Sequence, residues 1–156
     1  MRLSIESLEN QFADLHKRSC ELVSGLSTEL LYAKPLETDS NETCGEQVLR
    51  SAAVIEQSFG GLTASLWDDP FEWTLRETLN TPAKVLEYLA EVEETRRRAF
   101  AAFKSYEDLL KEIMTPLGNR QLLSFLLDTL ERARHHQQRA VELFETLRTE
   151  NLRTEN

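Results

Sequence analysis

The sequence predicts an all-α protein, an antiparallel four-helix bundle in a single domain. Apolar residues recur three or four positions apart through four long segments, the spacing of one buried face on an α helix. Most of the proline, glycine, asparagine and aspartate lies in the stretches between those segments. Five glycines and four prolines in 156 residues are too few for a many-stranded sandwich or barrel, which turns about every 8 to 12 residues. A chain of this length buries a core without disulfides or structural metal, so residues 1–150 are assigned to one domain.

The first helix is expected over about 3–23, where Ile5, Leu8, Phe12, Leu15 and Leu22 share a face, and it breaks near Gly25. A single turn over 27–32 stops before Pro35. The second helix opens at Thr43, with Glu46 three residues on, the spacing at which cap and carboxylate satisfy each other's free backbone donors. It buries Val48, Leu49, Ala52, Ile55 and Phe59 and passes Gly60 and Gly61 before an aromatic loop from Trp67 to Trp73. The third starts at Thr81 and Pro82, a capping residue followed by the proline that a first helical position tolerates best. A short helical piece follows Ser105, with Asp108 at the capping-box distance, and ends before Thr115-Pro116-Leu117-Gly118. The fourth helix covers about 119–147. The pentapeptide 147–151 is repeated at 152–156 with almost nothing apolar to dock, so 151–156 is expected to fray.

Charge narrows the functional classes. With 18 Lys and Arg against 27 Asp and Glu, the net charge of -9 repels nucleic acid. No run approaches the roughly 18 apolar residues of a membrane span, and the first residues lack a signal-peptide core, so no membrane partner and a cytoplasmic location are expected. Cys20 and Cys44 make no zinc spacing and read as free thiols. Cys44 lies in a first helical turn, where the helix dipole lowers a thiol pKa. No phosphate loop, nucleotide fingerprint or serine-nucleophile elbow occurs.

Three polar residues point into the bundle from three helices. Arg96 sits near the middle of the third helix's apolar face and needs a partner there. Glu56 tilts inward beside Ile55, and Gln137 falls close to the centre of the fourth stripe at about 100° per residue. His136, at the stripe's flank, reaches a cleft between helices; His135 points outward and His16 lies on the flank of the first helix. Two readings are open. Arg96, Glu56 and Gln137 form an internal network that fixes register, or, with His136, they hold a small anionic or amide ligand. Trp67 and Trp73 either roof such a cleft or anchor the loop over the bundle end. In both readings Glu56 is the first candidate partner for Arg96.

The run Leu22-Val23-Ser24-Gly25-Leu26-Ser27-Thr28-Glu29-Leu30-Leu31, then Lys34-Pro35, then Thr43-Cys44-Gly45-Glu46 opening a helix, resembles the first half of the DinB/YfiT-like superfamily. His135-His136-Gln137-Gln138 resembles its second half, and helix order and size agree across nearly the whole chain. The resemblance implies a four-helix bundle that pairs as a homodimer. It also implies a divalent metal such as zinc or nickel on three histidines, one on the second helix and two four residues apart on the fourth. Position by position, this chain offers His136 for one member of the pair, Arg132 for the other, and Ser51, or Arg50 one position earlier, on the second helix. A guanidinium repels a dication, so the expectation is a lost metal site, no metal cofactor, and a small-molecule pocket kept between the helices. The resemblance's alternative is a metal-dependent hydrolase or thiol-dependent transferase. A non-catalytic structural or partner-binding bundle is the third reading.

Overall fold

A computed structural model describes residues 4–72 and 76–154; Trp73 lies outside them. The chain is mainly helical, as expected. Helix α1 spans Ile5–Ser24, capped by Ser4, whose Oγ accepts the Ser7 N–H at 3.0 Å. A single turn, α2, covers Thr28–Leu31, and α3 covers Cys44–Ala64. Thr43 caps α3 by accepting the Glu46 N–H at 3.2 Å. The Glu46 carboxylate, expected to turn back onto the cap, instead takes Arg76 at 3.2 Å. A 3₁₀ turn at Pro70–Glu72 precedes α4, Pro82–Ala101, which starts at Thr81 as read from the sequence. In the turn α5, Tyr106–Leu109, Asp108 accepts the backbone N–H groups of Lys104 and Ser105 just before it.

Next comes a feature the sequence reading did not contain, an antiparallel hairpin of β1, Glu112–Thr115, and β2, Gly118–Gln121. Pro116 fixes one φ of its turn, and Gly118 takes φ 110°, which a side chain would oppose. The Thr115 hydroxyl donates to the Gly118 carbonyl at 2.8 Å. The hairpin uses residues given to the start of the fourth helix, so that helix, α6, begins at Leu122. It runs to Thr154, through most of the second pentapeptide. Glu37 holds this end: its N–H donates to Glu150 at 2.8 Å and its carboxylate takes Arg153 at 2.5 Å.

The four long helices close around one core in the order α1, α4, α3, α6, and α3 and α6 share the longest seam. Phe12, Phe59 and Phe100 meet at the centre with ring centroids 5.4 to 5.8 Å apart. Along α3 and α6 the pairs Gln47 with His136, Ser51 with Ala133 and Ser58 with Thr129 run in opposite senses, so this pair is antiparallel. The strict alternation expected of consecutive helices does not hold, however. Glu56 meets Tyr88 and Phe59 meets Phe100, numbers rising together, so α3 and α4 are parallel. Gln11 meets Arg134 and Leu15 meets Gln137, so α1 and α6 are parallel as well.

The segment between α3 and α4 explains this. Its contacts step back along α3: the Trp67 carbonyl accepts Gln57, Phe71 lies under the Arg50 guanidinium at 3.9 Å, and Arg76 takes Glu46. Finally Leu79 O accepts the Tyr32 hydroxyl at 2.6 Å, beside the start of α3. The chain therefore returns to the end from which α3 set out, and α4 descends beside it. Among the described residues, no helix is long and apolar enough to cross a membrane.

Candidate functional site

The four residues proposed as one ligand cluster are separated, one to each seam. Arg96, on α4, is 1 % exposed and faces α1. It donates to Glu9 at 2.9 Å and to Glu93 one turn back on its own helix, while its buried Nε has no hydrogen-bond partner among the described residues. Glu56 is not its partner. Half-buried on the α3/α4 seam, Glu56 accepts the Tyr88 hydroxyl at 2.5 Å, and burial together with this carboxylate pushes the Tyr88 pKa well up. Gln137 is buried on the α1/α6 seam and donates to the Leu15 carbonyl at 2.6 Å and to Ser19 Oγ at 2.8 Å. His136 lies on the α3/α6 seam, its Nδ1 hydrogen-bonded to the Gln47 side-chain amide at 2.9 Å. Burial, and then His135, Arg50 and Arg132 nearby, hold the His136 pKa below the usual histidine value.

These contacts fill the interior. What remains between His16, Ser19, Ser51, Glu93 and Arg96 is a cavity of about 20 Å³. That is room for one water molecule and no organic ligand.

The positions matched to metal ligands do not fit a dication. The Ser51 hydroxyl donates to the Ala133 carbonyl at 2.8 Å, Arg132 carries a positive charge, and His136 supplies one imidazole already bonded to Gln47. Among the described residues no three His, Cys, Asp or Glu side chains gather closely enough to hold a metal ion. Ser51, together with Ser58 bonded to Thr129 at 2.7 Å, instead links α3 to α6.

The thiols are quiet. Cys44 is fully buried, and burial pushes its pKa up to about 12, which outweighs the helix dipole expected to lower it. Cys20 lies half-buried with Sγ 3.5 Å from His16 Nε2, and burial and Glu93 raise its pKa too.

The open cavity lies elsewhere, in the α3/α6 cleft at the end covered by the hairpin turn. It measures about 380 Å³. One wall is aromatic: the half-buried Trp67 indole meets the Phe125 ring edge-on, centroids 5.8 Å apart. Gly61 makes this possible, because a Cβ there would overlap the indole. Polar side chains line the same cavity, Gln57, Arg120, Asp128 and Arg132. Arg120 is committed to Asp128 at 3.4 Å. Arg132 is exposed and, among the described residues, makes no hydrogen bond or ion pair. Of this set, sequence reasoning singled out only Trp67 and Arg132. The others come from three elements, and their one sequence signal is the apolar Trp67 and Phe125 beside charged residues at element ends.

A wider depression at the far end of the same seam, about 580 Å³, holds His135, His136, Arg50 and Arg139. Its charges are largely spoken for. Arg139 takes Glu42 at 2.5 Å and Glu142 at 3.0 Å, and Arg50 covers Phe71. Set against known proteins, the chain matches no family model, no curated protein and no solved structure.

Proposed function

We propose that the protein is a metal-free small-molecule-binding protein on a DinB/YfiT-like four-helix scaffold, with its binding site in the α3/α6 cleft beside Trp67. The observation that carries this reading is that cavity. At about 380 Å³ it falls in the range of small-molecule sites, about 300 to 1,000 Å³, and it joins an apolar wall to a few convergent polar groups. The interior cluster read from the sequence has no such room.

Thermal unfolding across a panel of small organic acids, amides and amines tests the reading. A ligand at a hundred times its Kd stabilises the fold by about 2.7 kcal/mol, which is a rise of several degrees in Tm for a chain of this size. No rise with any class of compound favours the structural or partner-binding reading, which the polar contacts on every seam also support. Stoichiometric zinc or nickel in protein purified without chelator overturns the metal-free reading in favour of the hydrolase or transferase. Pairing as a homodimer belongs to the same proposal and is supported by the exposed Leu110, Met114 and Leu117 on the hairpin segment. Sedimentation equilibrium reads it directly, and a strict monomer at high concentration refutes it.

A further inference from the structure

The polar groups around the Trp67 cavity differ in whether they are already used. Ser58 is bonded to Thr129, Thr115 donates to the Gly118 carbonyl, and the Gln57 amide N–H donates to the Trp67 carbonyl at 2.9 Å. Arg120 and Asp128 neutralise each other, and the Arg120 guanidinium lies 5.9 Å from the Phe125 ring centroid. Arg132 alone brings a charge with no partner among the described residues. In a chain with a net charge of -9, an uncommitted guanidinium on a cavity wall selects against cations and for one anionic group. Its planar fork matches the two oxygens of a carboxylate.

The aromatic side chains of the lining select the body of the ligand. Trp67 is held from two sides: its indole rests on Gly61, where no side chain separates it from α3, and its carbonyl is tied to Gln57. With Phe125 it offers aromatic surface that is ordered before a ligand arrives, so little freedom is lost on binding. The cavity sits near the lower end of the ligand-site range, which suits one or two fused rings and is small for a nucleotide. Asp128, close to Arg120, opposes a second negative charge.

We propose that this cavity takes a planar aromatic monocarboxylate, its ring against Trp67 and Phe125 and its carboxylate on Arg132. The proposal rests on reading the cavity as a small-molecule site, and it adds the ligand class.

Calorimetric titration of the full chain with 2-naphthoate, its neutral analogue 2-naphthamide, and acetate separates the contributions. Naphthoate is expected to bind about tenfold or more tighter than naphthamide, the size of a charge-assisted hydrogen-bonded pair, and acetate to give no measurable heat. Arg132→Gln, at an exposed site that leaves folding intact, should erase the difference between acid and amide while leaving the amide's affinity unchanged. Trp67→Phe should weaken both ring compounds alike. Arg134→Gln, close by on the same helix and paired with Gln11, should change neither. Equal binding of acid and amide by the wild type, or a preference that survives Arg132→Gln, overturns the anionic class and leaves the small-molecule reading standing. The aromatic acid is likewise overturned, and the small-molecule reading kept, if neither ring compound binds while other compounds raise Tm in wild type but not in Trp67→Phe. If no compound of any class binds, both the inference and the reading beneath it fall.

Discussion

The Arg96 guanidinium meets Glu9 across the α1/α4 seam at 2.9 Å, although Glu9 lies 87 positions earlier in the chain. Glu93 completes the pocket around the charge, itself only 6 % exposed. Arg96→Ala therefore leaves the buried Glu93 carboxylate with only the longer 3.6 Å contact to the exposed Arg97 and should lower the unfolding free energy by about 3 to 5 kcal/mol in urea titrations. Arg97→Ala removes only the longer, mostly exposed 3.6 Å pair with Glu93 and should cost less than about 1 kcal/mol. Glu56→Gln keeps an acceptor for Tyr88 and should cost less than about 1 kcal/mol; a loss matching that of Arg96→Ala would show that the two residues are coupled after all.

Two adjacent glycines should respond oppositely to alanine. A Cβ at Gly61 would overlap the Trp67 ring, so Gly61→Ala must push the indole off α3. A loss of about 1 to 3 kcal/mol is expected, with a red shift of tryptophan emission. At Gly60 the nearest foreign atom is the Leu66 carbonyl oxygen at 3.4 Å, an ordinary contact. Gly60→Ala should be neutral or stabilising by up to about 1 kcal/mol, because alanine is the better helix former. Equal losses from both would contradict the placement of Trp67.

Stability should fall as the pH drops below 6.5. His16 and His136 both bind a proton more weakly in the folded chain than the ordinary value of 6.5, burial being the main cause at each. Below 6.5 the unfolded chain takes up protons that the folded chain resists. The unfolded state is then favoured progressively until the pH passes the two lowered folded values. Glu42 and Asp108 are depressed too, but their contributions are lost only below their ordinary values of 4.5 and 3.8. Urea midpoints at about pH 7.5 and about pH 5.5 should differ in wild type and converge in the His16→Gln, His136→Gln double variant. An unchanged difference in the double variant would assign the dependence to other groups.

Thiol titration should separate the two cysteines. Cys44, with its pKa near 12 and no exposed surface, should react with a disulfide reagent only after denaturation. Cys20, half-buried, should react slowly in the native protein. Rapid labelling of Cys44 under native conditions would mean that the start of α3 opens far more readily than its packing implies.

Local signals are readable where neighbours in sequence decide the outcome. Thr43 and Thr81 cap the helices they are expected to open, and the spacing of apolar residues places Arg96 and Gln137 inside. A helical wheel gives a direction from the axis but not the identity of the neighbouring helix, which is why Glu56 stands out as the partner of Arg96 in the sequence and Glu9 does not. The parallel course of α3 and α4 depends on Phe71 with Arg50 and Arg76 with Glu46, contacts between residues far apart in sequence. The hairpin escapes because its second strand, Gly118–Gln121, has no apolar alternation to betray it; backbone pairing and the Pro116–Gly118 turn carry it. The candidate pocket escapes because α3, the hairpin and α6 each bring only a few residues to it.

The order of helices around the core also bears on how the chain folds. Of the four seams, only that between α3 and α4 joins long helices consecutive in the chain, and their parallel course denies it a short hairpin connection. Every other seam must bring together helices separated by at least one whole helix, α1 and α6 being the most distant. Loop-closure entropy is therefore met early and recovered late, and the protein should fold more slowly than helical bundles of its size whose successive helices are neighbours. The α3/α6 seam, which is the longest and also holds the cavity, can form only once the second half of the chain has returned to the first.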